Sequence, residues 1–191
     1  GAEKLYAAIS SALELSGREV ALDCYCGIGA IGQYLSRFCS HVVGVESHPQ
    51  AIEDAMRSAG RNKISNISFY HGRAEDVLSK KLRPGGKYTF DVAVLDPPRS
   101  GVNESVSKAI LEHAPARLVY VSSNPATLAR DLGYFLSSDY NLRFVQPVDL
   151  FTGNCPRDPN FGSLKLCNPM ATNGGRLYLE LNLGPYGEGW Y

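Results

Sequence analysis

Short apolar segments alternate with segments of helical periodicity through the first 148 residues, and this alternation restricts the fold more than any other feature. The predicted strands are Val20–Tyr25, Val42–Glu46, Ile67–His71, Asp91–Leu95, Leu118–Val121 and Leu142–Val148. The predicted helices are 3–16, Ala30–Phe38, Pro49–Asn62, Glu75–Lys81, Ser105–His113 and Pro125–Leu136. Strands that alternate with helices form βαβ units with right-handed crossovers. We therefore expect an α/β fold, with a mostly parallel sheet and helices on both faces.

The last quarter of the sequence has a different composition and residue pattern. Residues 152–175 are dense in Gly, Pro and Asn and show no periodicity, so we expect an irregular segment. Residues 176–183 then alternate strictly between apolar and other side chains, which predicts a final strand. A chain of 191 residues is long enough for one well-buried core, so we expect a single domain over residues 1–191.

Composition excludes some classes of protein and leaves others open. The chain has 19 basic and 19 acidic residues, without the basic excess typical of a domain that grips nucleic acid alone. No apolar run approaches the roughly 20 residues that cross a bilayer, and no secretory signal opens the sequence. The five cysteines show no disulfide framework and no metal-ligand spacing. We expect reduced cysteines, no metal, no membrane contact and a cytoplasmic, intracellular location.

A glycine-rich loop follows the first predicted strand. Gly27, Gly29 and Gly32 form a complete G-x-G-x-x-G pattern, and Ala30 opens the helix behind it. Glycine allows a tight turn and a close approach of the backbone to a ligand, while a helix N-terminus offers free N–H groups. Glu46 ends the second strand and would accept hydrogen bonds from two ribose hydroxyls. The pattern predicts a nucleoside cofactor, but it leaves nicotinamide dinucleotides, S-adenosylmethionine and a plain tight turn open.

A second candidate segment, Asp96–Arg99, has the sequence Asp-Pro-Pro-Arg and follows the fourth strand. Ligands of open α/β sheets bind outside the carboxyl ends of the strands. The two prolines fix the backbone and lack N–H groups, so the Asp96 carboxylate and the nearby carbonyls stand at a rigid edge. This arrangement suits the orientation of a planar base, although a rigid turn with a solvated Arg99 is the simpler alternative.

Six motifs together resemble the RNA (uracil-C5) methyltransferases, which use S-adenosylmethionine. They occur in the family's order and spacing at 23–29, 42–46, 72–76, 95–101, 119–131 and 146–151, and the resemblance covers about residues 2–151. It implies a class I methyltransferase (Rossmann-like) fold with seven strands, the last one antiparallel. It also implies a tRNA or rRNA uridine as substrate. Many members carry an RNA-binding barrel domain and a cofactor-binding glutamine upstream of the position of Gly1, and neither lies within these 191 residues.

The resemblance also implies the site residues. By this similarity Tyr25, Glu46 and Asp96 contact the cofactor or the reaction centre, together with Gly27, Gly29 and Ala30 of the glycine loop. A further cofactor contact is implied for the loop after the third strand, at Arg73 and Ala74.

Ser123 stands where the family carries its catalytic cysteine, since residues 122–125 are Ser-Ser-Asn-Pro and the family motif is Ser-Cys-Asn-Pro. In the family that thiolate adds to C6 of uracil, C5 takes the methyl group, and a glutamate removes the C5 proton. A serine hydroxyl is far less acidic than a thiol and needs a dedicated base. We therefore expect Ser123 to be a poor nucleophile whose present role is to cap the helix that begins at Pro125.

The family's proton-removing glutamate is also missing from its motif. After Phe151 the sequence continues Thr-Gly-Asn-Cys, and Pro156 stands where the glutamate is expected. The leading hypothesis is thus a uracil-C5 RNA methyltransferase domain with impaired chemistry. The alternative is a non-catalytic module that keeps the cofactor fold and docks RNA or a protein. A nicotinamide oxidoreductase is disfavoured, because it leaves Asp96–Arg99 and residues 119–132 unexplained.

Overall fold

A computed structural model describes the backbone of residues 2–148 and 176–183, and the side chains of residues 2–146. The helices are α1 (Ala2–Ala12), α2 (Ala30–Leu35), α3 (Pro49–Arg61), α4 (Ala74–Asp76), α5 (Glu104–His113) and α6 (Pro125–Leu136). The strands are β1 (Val20–Cys24), β2 (His41–Glu46), β3 (Ile67–His71), β4 (Val92–Leu95), β5 (Arg117–Ser122), β6 (Tyr140–Val148) and β7 (Arg176–Leu183). The predicted irregular segment at 152–175 lies outside the described residues.

The strands form one sheet in the order β3-β2-β1-β4-β5-β7-β6. The five strands from β3 to β5 pair in parallel, whereas β7 runs antiparallel to both β5 and β6. The predicted α/β fold class with a mostly parallel sheet is therefore confirmed. Strand order reverses between β1 and β4, and ligands of such sheets bind at this switch point.

Helices cover both faces of the sheet, because alternate strand residues point to opposite sides. On one face, Leu5 and Ile9 of α1 and Leu35 of α2 pack with Ala21 and Val42 of the strands. The opposite face carries side chains of α5 and α6 on strand residues, namely Val106, Ile110, Leu128 and Phe135 with Leu22, Val43, Ala93, Leu118 and Tyr120. The sheet is thus the middle layer of three, and ligands of such sheets bind at the edge formed by the carboxyl ends of its strands.

Two predicted helices differ from the observed ones for local reasons. Helix α1 ends at Ala12 rather than residue 16, because Glu14 adopts a left-handed conformation with φ of 46°. The predicted helix Glu75–Lys81 is one turn of α-helix, α4, followed by a π-helical turn, in which the Leu82 N–H donates to the Val77 carbonyl. The strands and the remaining helices match their predicted positions to within a few residues.

Cys24, Cys26 and Cys39 are buried free thiols in the described part of the chain. Burial raises the pKa of each of these thiols, which keeps them protonated and unreactive at neutral pH. None of the helices that the structure describes is long and apolar enough to cross a membrane.

A fully buried carboxyl, Asp23, joins β1 to the first turn of α2. Its Oδ2 accepts a 2.7 Å hydrogen bond from the Gly32 N–H, whereas Oδ1 has no partner among the described residues. Burial raises the pKa of Asp23 to about 7, and repulsion from Asp96 and Glu46 adds to the rise, while the Gly32 N–H opposes it. The carboxyl therefore keeps its proton in the folded chain at a pH where the unfolded chain has lost it.

This difference predicts a pH-dependent loss of stability that Asp23 alone causes. Between about pH 4 and pH 7 the unfolded state binds fewer protons at Asp23, so the contribution of Asp23 to stability should fall by about 1.4 kcal/mol per pH unit and then level off. Asp23→Asn removes the titration and keeps an acceptor for the Gly32 N–H. The free energy of unfolding of the variant should therefore rise relative to that of the wild type as the pH increases over this range. Urea unfolding at about pH 5, 6, 7 and 8 measures the difference, with Asp139→Asn on the surface as control. Parallel pH profiles for wild type and Asp23→Asn would contradict the assignment.

Candidate functional site

A cavity of about 440 Å³ opens at the carboxyl ends of the parallel strands. Of the residues predicted from sequence, it brings together Tyr25 after β1, Glu46 at the end of β2, and Arg73 and Ala74 after β3. Its wall also includes residues of the loop between β4 and α5 (residues 96–103, the β4–α5 loop), as well as Arg130 and Tyr134 of α6. The volume lies in the range of small-molecule sites.

Glu46 is the hydrogen-bonding centre of the β1 and β2 ends. Its Oε2 accepts a 3.0 Å bond from the Gly27 N–H, and its Oε1 accepts bonds from the His48 N–H (2.8 Å) and the Ser47 hydroxyl (3.1 Å). The carboxylate is half-buried at the cavity wall, and each carboxylate oxygen has more than one acceptor position. Glu46 therefore fixes the glycine loop and still has capacity to accept bonds from a ligand's hydroxyl groups.

The glycines that sequence predicted have distinct roles in the loop. Gly27 and Gly29 both have positive φ, of 53° and 75°, which L-residues rarely adopt. A Cβ on Gly29 would stand 2.8 Å from the Phe69 ring, so this glycine is required by packing. A Cβ on Gly27 would meet none of the described residues within 4 Å, so the loop backbone faces space that the described part of the chain leaves open. Neither glycine nor Ala30 lines the cavity itself; their contribution is the shape of the loop that Glu46 holds.

Tyr25 occupies a strained backbone position directly beside the cavity. It has φ of 66° although it carries a full side chain, and such strain costs on the order of 1–3 kcal/mol. Strain of this kind persists where the surrounding structure holds it, and it is concentrated at ligand sites. Burial raises the pKa of the Tyr25 phenol, so the side chain is a neutral aromatic wall at physiological pH.

The loop after β3 contributes one buried and one exposed residue. Ala74 is buried, and Arg73 is exposed and pairs with Glu75 at 2.5 Å. Both Arg73 and Glu75 line the cavity, so this wall offers charges of both signs. Partial burial acts to raise the pKa of Glu75, but the hydrogen bonds and the charge of Arg73 outweigh it, so the pKa is lowered and the carboxylate is ionised.

Asp96 lies at the start of the β4–α5 loop rather than on the cavity wall. It is half-buried, and its backbone N–H donates to the Cys24 carbonyl at 3.3 Å, which ties the ends of β4 and β1 together. The β4 and β5 strands pair in parallel with Leu95 opposite Tyr120, so Asp96 and Ser123 leave the same edge of the sheet. The Asn124 side-chain amide donates to the Arg99 carbonyl at 3.2 Å, which joins the two segments directly.

The predicted capping role of Ser123 is wrong. Asn124 caps α6, since its Oδ1 accepts from the Ala126 N–H at 3.1 Å, and Ser122 supports this turn by accepting from the Asn124 N–H at 3.0 Å. The reason is register: a cap must precede the first helical residue, and Pro125 is that residue. Ser123 is half-buried, and its hydroxyl has no hydrogen-bond partner within the described part of the chain.

Sequence reasoning missed the contribution of α6 to the site. Thr127, Arg130, Asp131 and Tyr134 form one polar stripe at spacings of three and four residues, which places them on one helix face. Arg130 and Tyr134 line the cavity, while Thr127 and Asp131 bond to the β4–α5 loop. The spacing of these residues can be read from the sequence, but the sequence does not show which loop this face of α6 contacts.

Comparison with known proteins places this geometry in a family. The profile of the family described as tRNA (Uracil-5-)-methyltransferase matches residues 3–151. An uncharacterized RNA methyltransferase of Listeria innocua is 44% identical over 149 residues, which are 78% of this chain and 32% of the relative. The chain therefore spans about a third of the length of the curated relatives it matches.

Solved structures agree with the profile. The tRNA (uracil-54, C5)-methyltransferase of Pyrococcus abyssi, solved in complex with S-adenosyl-L-homocysteine, has a TM-score of 0.67 at 29% identity, over 93% of this chain and 37% of that one. A precorrin-6y C5,15-methyltransferase of Geobacter metallireducens has a TM-score of 0.71 at 14% identity, over 94% of this chain and 87% of that one, which shows a shared fold. The fold is that of the class I methyltransferases, and the chain belongs to the tRNA (uracil-5-)-methyltransferase family.

Proposed function

We propose that residues 1–191 form a single S-adenosylmethionine-dependent domain of an RNA methyltransferase that modifies C5 of a uridine in tRNA or rRNA, with impaired chemistry. Family membership supports the reaction class. The observation that carries the cofactor is the cavity in which Tyr25, Glu46, Arg73 and Ala74 meet beside the glycine loop. Substrate RNA would be held largely by an RNA-binding domain upstream of these residues, because the chain has no basic excess.

The residues present fit S-adenosylmethionine. Glu46 has acceptor capacity for the two ribose hydroxyls, Tyr25 supplies an apolar wall, and the Arg73–Ala74 turn faces the same space. The open space beside Gly27 admits a ligand against the loop backbone. When bound there, the cofactor would supply a methyl group on a sulfonium.

The surroundings of position 123 support the proposal of impaired chemistry. Addition to C6 of uracil requires a nucleophile that is already ionised or has a base within hydrogen-bond reach. The Ser123 hydroxyl has neither within the described part of the chain. The nearest polar side chains in sequence, Ser122, Asn124 and Thr127, are neutral. Ser122 bonds to the backbone of Asn124, and the other two donate to the Arg99 carbonyl.

The second candidate is a non-catalytic module that retains the cofactor fold and docks RNA or a protein. The combination of a complete cavity with serine at position 123 favours it, because cofactor contacts do not depend on the nucleophile. Both candidates predict cofactor binding. They differ in whether a thiol at position 123 restores covalent addition to uracil.

Glu46→Ala should weaken the binding of S-adenosylhomocysteine by about 1.5–3 kcal/mol, because it removes charge-assisted acceptors for the ribose. The same change frees the Gly27 N–H, so the glycine loop loses its anchor as well. Titration calorimetry measures the affinity, and Glu53→Ala, on the exposed side of α3, is the matched control. Equal affinity in Glu46→Ala and wild type would place the cofactor elsewhere.

Ser123→Cys should restore covalent chemistry that the wild type lacks. With S-adenosylmethionine and 5-fluorouridine-substituted tRNA, the sulfur introduced at position 123 would lose its proton and bond to C6. C5 would then take the methyl group from the sulfonium, with S-adenosylhomocysteine as the leaving group. The fluorine at C5 cannot leave as a proton does, so the adduct persists. Denaturing electrophoresis should show a protein–RNA band for Ser123→Cys and none for wild type or Ser123→Ala.

Two outcomes would change the proposal. A band in wild type that disappears in Ser123→Ala would show an active serine nucleophile, and the impairment would be wrong. No band in Ser123→Cys, with the binding of both S-adenosylhomocysteine and the tRNA intact, would favour the non-catalytic module.

A further inference from the structure

The β4–α5 loop is attached to α6 through a dense set of hydrogen bonds to its backbone. The Thr127 hydroxyl and the Asn124 amide both donate to the Arg99 carbonyl, at 3.1 and 3.2 Å. One turn further along α6, Arg130 Nη2 donates to the Ser100 carbonyl at 2.9 Å and to the Val102 carbonyl at 3.1 Å. The first turns of one helix thus hold a loop that has no regular structure of its own.

Asp131 is the buried centre of this attachment. Its Oδ2 accepts from the Val102 N–H at 2.8 Å and from the Tyr120 hydroxyl, and its Oδ1 accepts from two nitrogens of Arg130 at 2.6 and 2.8 Å. The side chain is fully buried, whereas that of Arg130 is half exposed. A buried carboxylate is tolerated only when it is paired and hydrogen-bonded, and Asp131 meets both conditions through these three neighbours.

The loop is shaped to admit this carboxylate. Gly101 has φ of 78°, and a Cβ there would collide with Asp131 Oδ2 and stand 2.7 Å from Arg130 Nη2. Only glycine satisfies both the backbone conformation and the close approach. The β4–α5 loop and the Arg130–Asp131 pair therefore form one fitted unit, although Ser100 and Arg130 are 30 residues apart in sequence.

This unit contacts both the cofactor cavity and the segment around position 123. Ser100, Gly101, Val102 and Arg130 line the cavity, so the attachment sets the position of one cavity wall. The same helix is capped by Asn124, next to Ser123, so the attachment also sets where position 123 stands relative to Asp96. A salt bridge that served stability alone would not need to contact both the cavity wall and the segment around position 123.

We propose that Arg130 and Asp131 are positioning residues that attach the β4–α5 loop to α6. They thereby fix the position of the cofactor cavity wall relative to position 123. This inference rests on the proposed function of the cavity. Neither residue transfers a proton or a methyl group. They act through the Ser100 and Val102 backbone and through the helix that follows position 123.

The test replaces Arg130 with methionine, which keeps the length of the side chain and removes every donor. Arg57→Met on α3 is the matched control, because Arg57 also pairs with an aspartate at 2.6 Å and is similarly exposed, but lines no wall of the cavity. Amide hydrogen exchange and titration with S-adenosylhomocysteine are measured on wild type and both variants, together with the thermal unfolding midpoint. Arg130→Lys, which keeps one charge but lacks the planar fork, is the conservative variant.

In Arg130→Met, exchange should rise about tenfold at Gly101 and Val102, whose amides are hydrogen-bonded in the attached loop, while the amides of β1 and β4 stay protected. Affinity should fall about tenfold. Arg130→Lys should recover part of both effects, and Arg57→Met should match wild type. An unchanged loop, or a rise spread evenly through the sheet with unchanged affinity, would overturn the positioning role. The exchange data decide it even if wild type binds no S-adenosylhomocysteine, a result that would count against the cofactor assignment alone.

Discussion

The parallel register of the five strands from β3 to β5 is the constraint on which the rest of the molecule depends. Parallel pairing brings the carboxyl ends of neighbouring strands to one edge, and here those ends carry Tyr25, Glu46, Gly72 and Asp96. A shift of one residue in any pair would turn its side chains to the other face of the sheet. The two-sided apolar core prevents that shift, because both faces of β1, β2 and β4 are buried under helices.

Polar groups at this edge are held by local hydrogen bonds that a packed core alone would not require. Glu46 ties the glycine loop to the end of β2, Asp23 ties the first turn of α2 to β1, and Asp131 ties the β4–α5 loop to α6. Each of these carboxyl groups accepts from at least one backbone N–H, which is how a rigid site is built from loops. The positive φ of Tyr25 shows that this edge also holds backbone strain that the rest of the fold supports.

Much of this fold could be predicted from the sequence, because its signals are local. Apolar periodicity located the strands and helices, and Pro49 and Pro125 marked the first turns of α3 and α6 where the structure has them. Local signals failed where the outcome depends on tertiary contacts. The end of α1 follows from the backbone of Glu14, and the π-turn at Val77–Lys81 has no signature in the sequence. In the candidate site, too, local signals identified some residues, and tertiary contacts determined the role of others.

Motif order pointed to Glu46, Tyr25 and the Arg73–Ala74 turn, and all four residues line one cavity. The glycines and Asp96 lie around that cavity rather than on its wall, since they shape loops. Arg130 and Asp131 could not be assigned from sequence, because their partners include backbone groups about 30 residues away, whose position only the fold determines.

The central claim is that this chain retains a cofactor site for an adenosyl ligand although serine stands at position 123. A crystal structure of the chain with S-adenosylhomocysteine tests it most directly. We expect the ribose hydroxyls on the Glu46 carboxylate, the adenine beside Arg73 and Ala74, and the sulfur toward Asp96. A ligand bound at any other place on the chain, or saturating ligand with the cavity still empty, would contradict it.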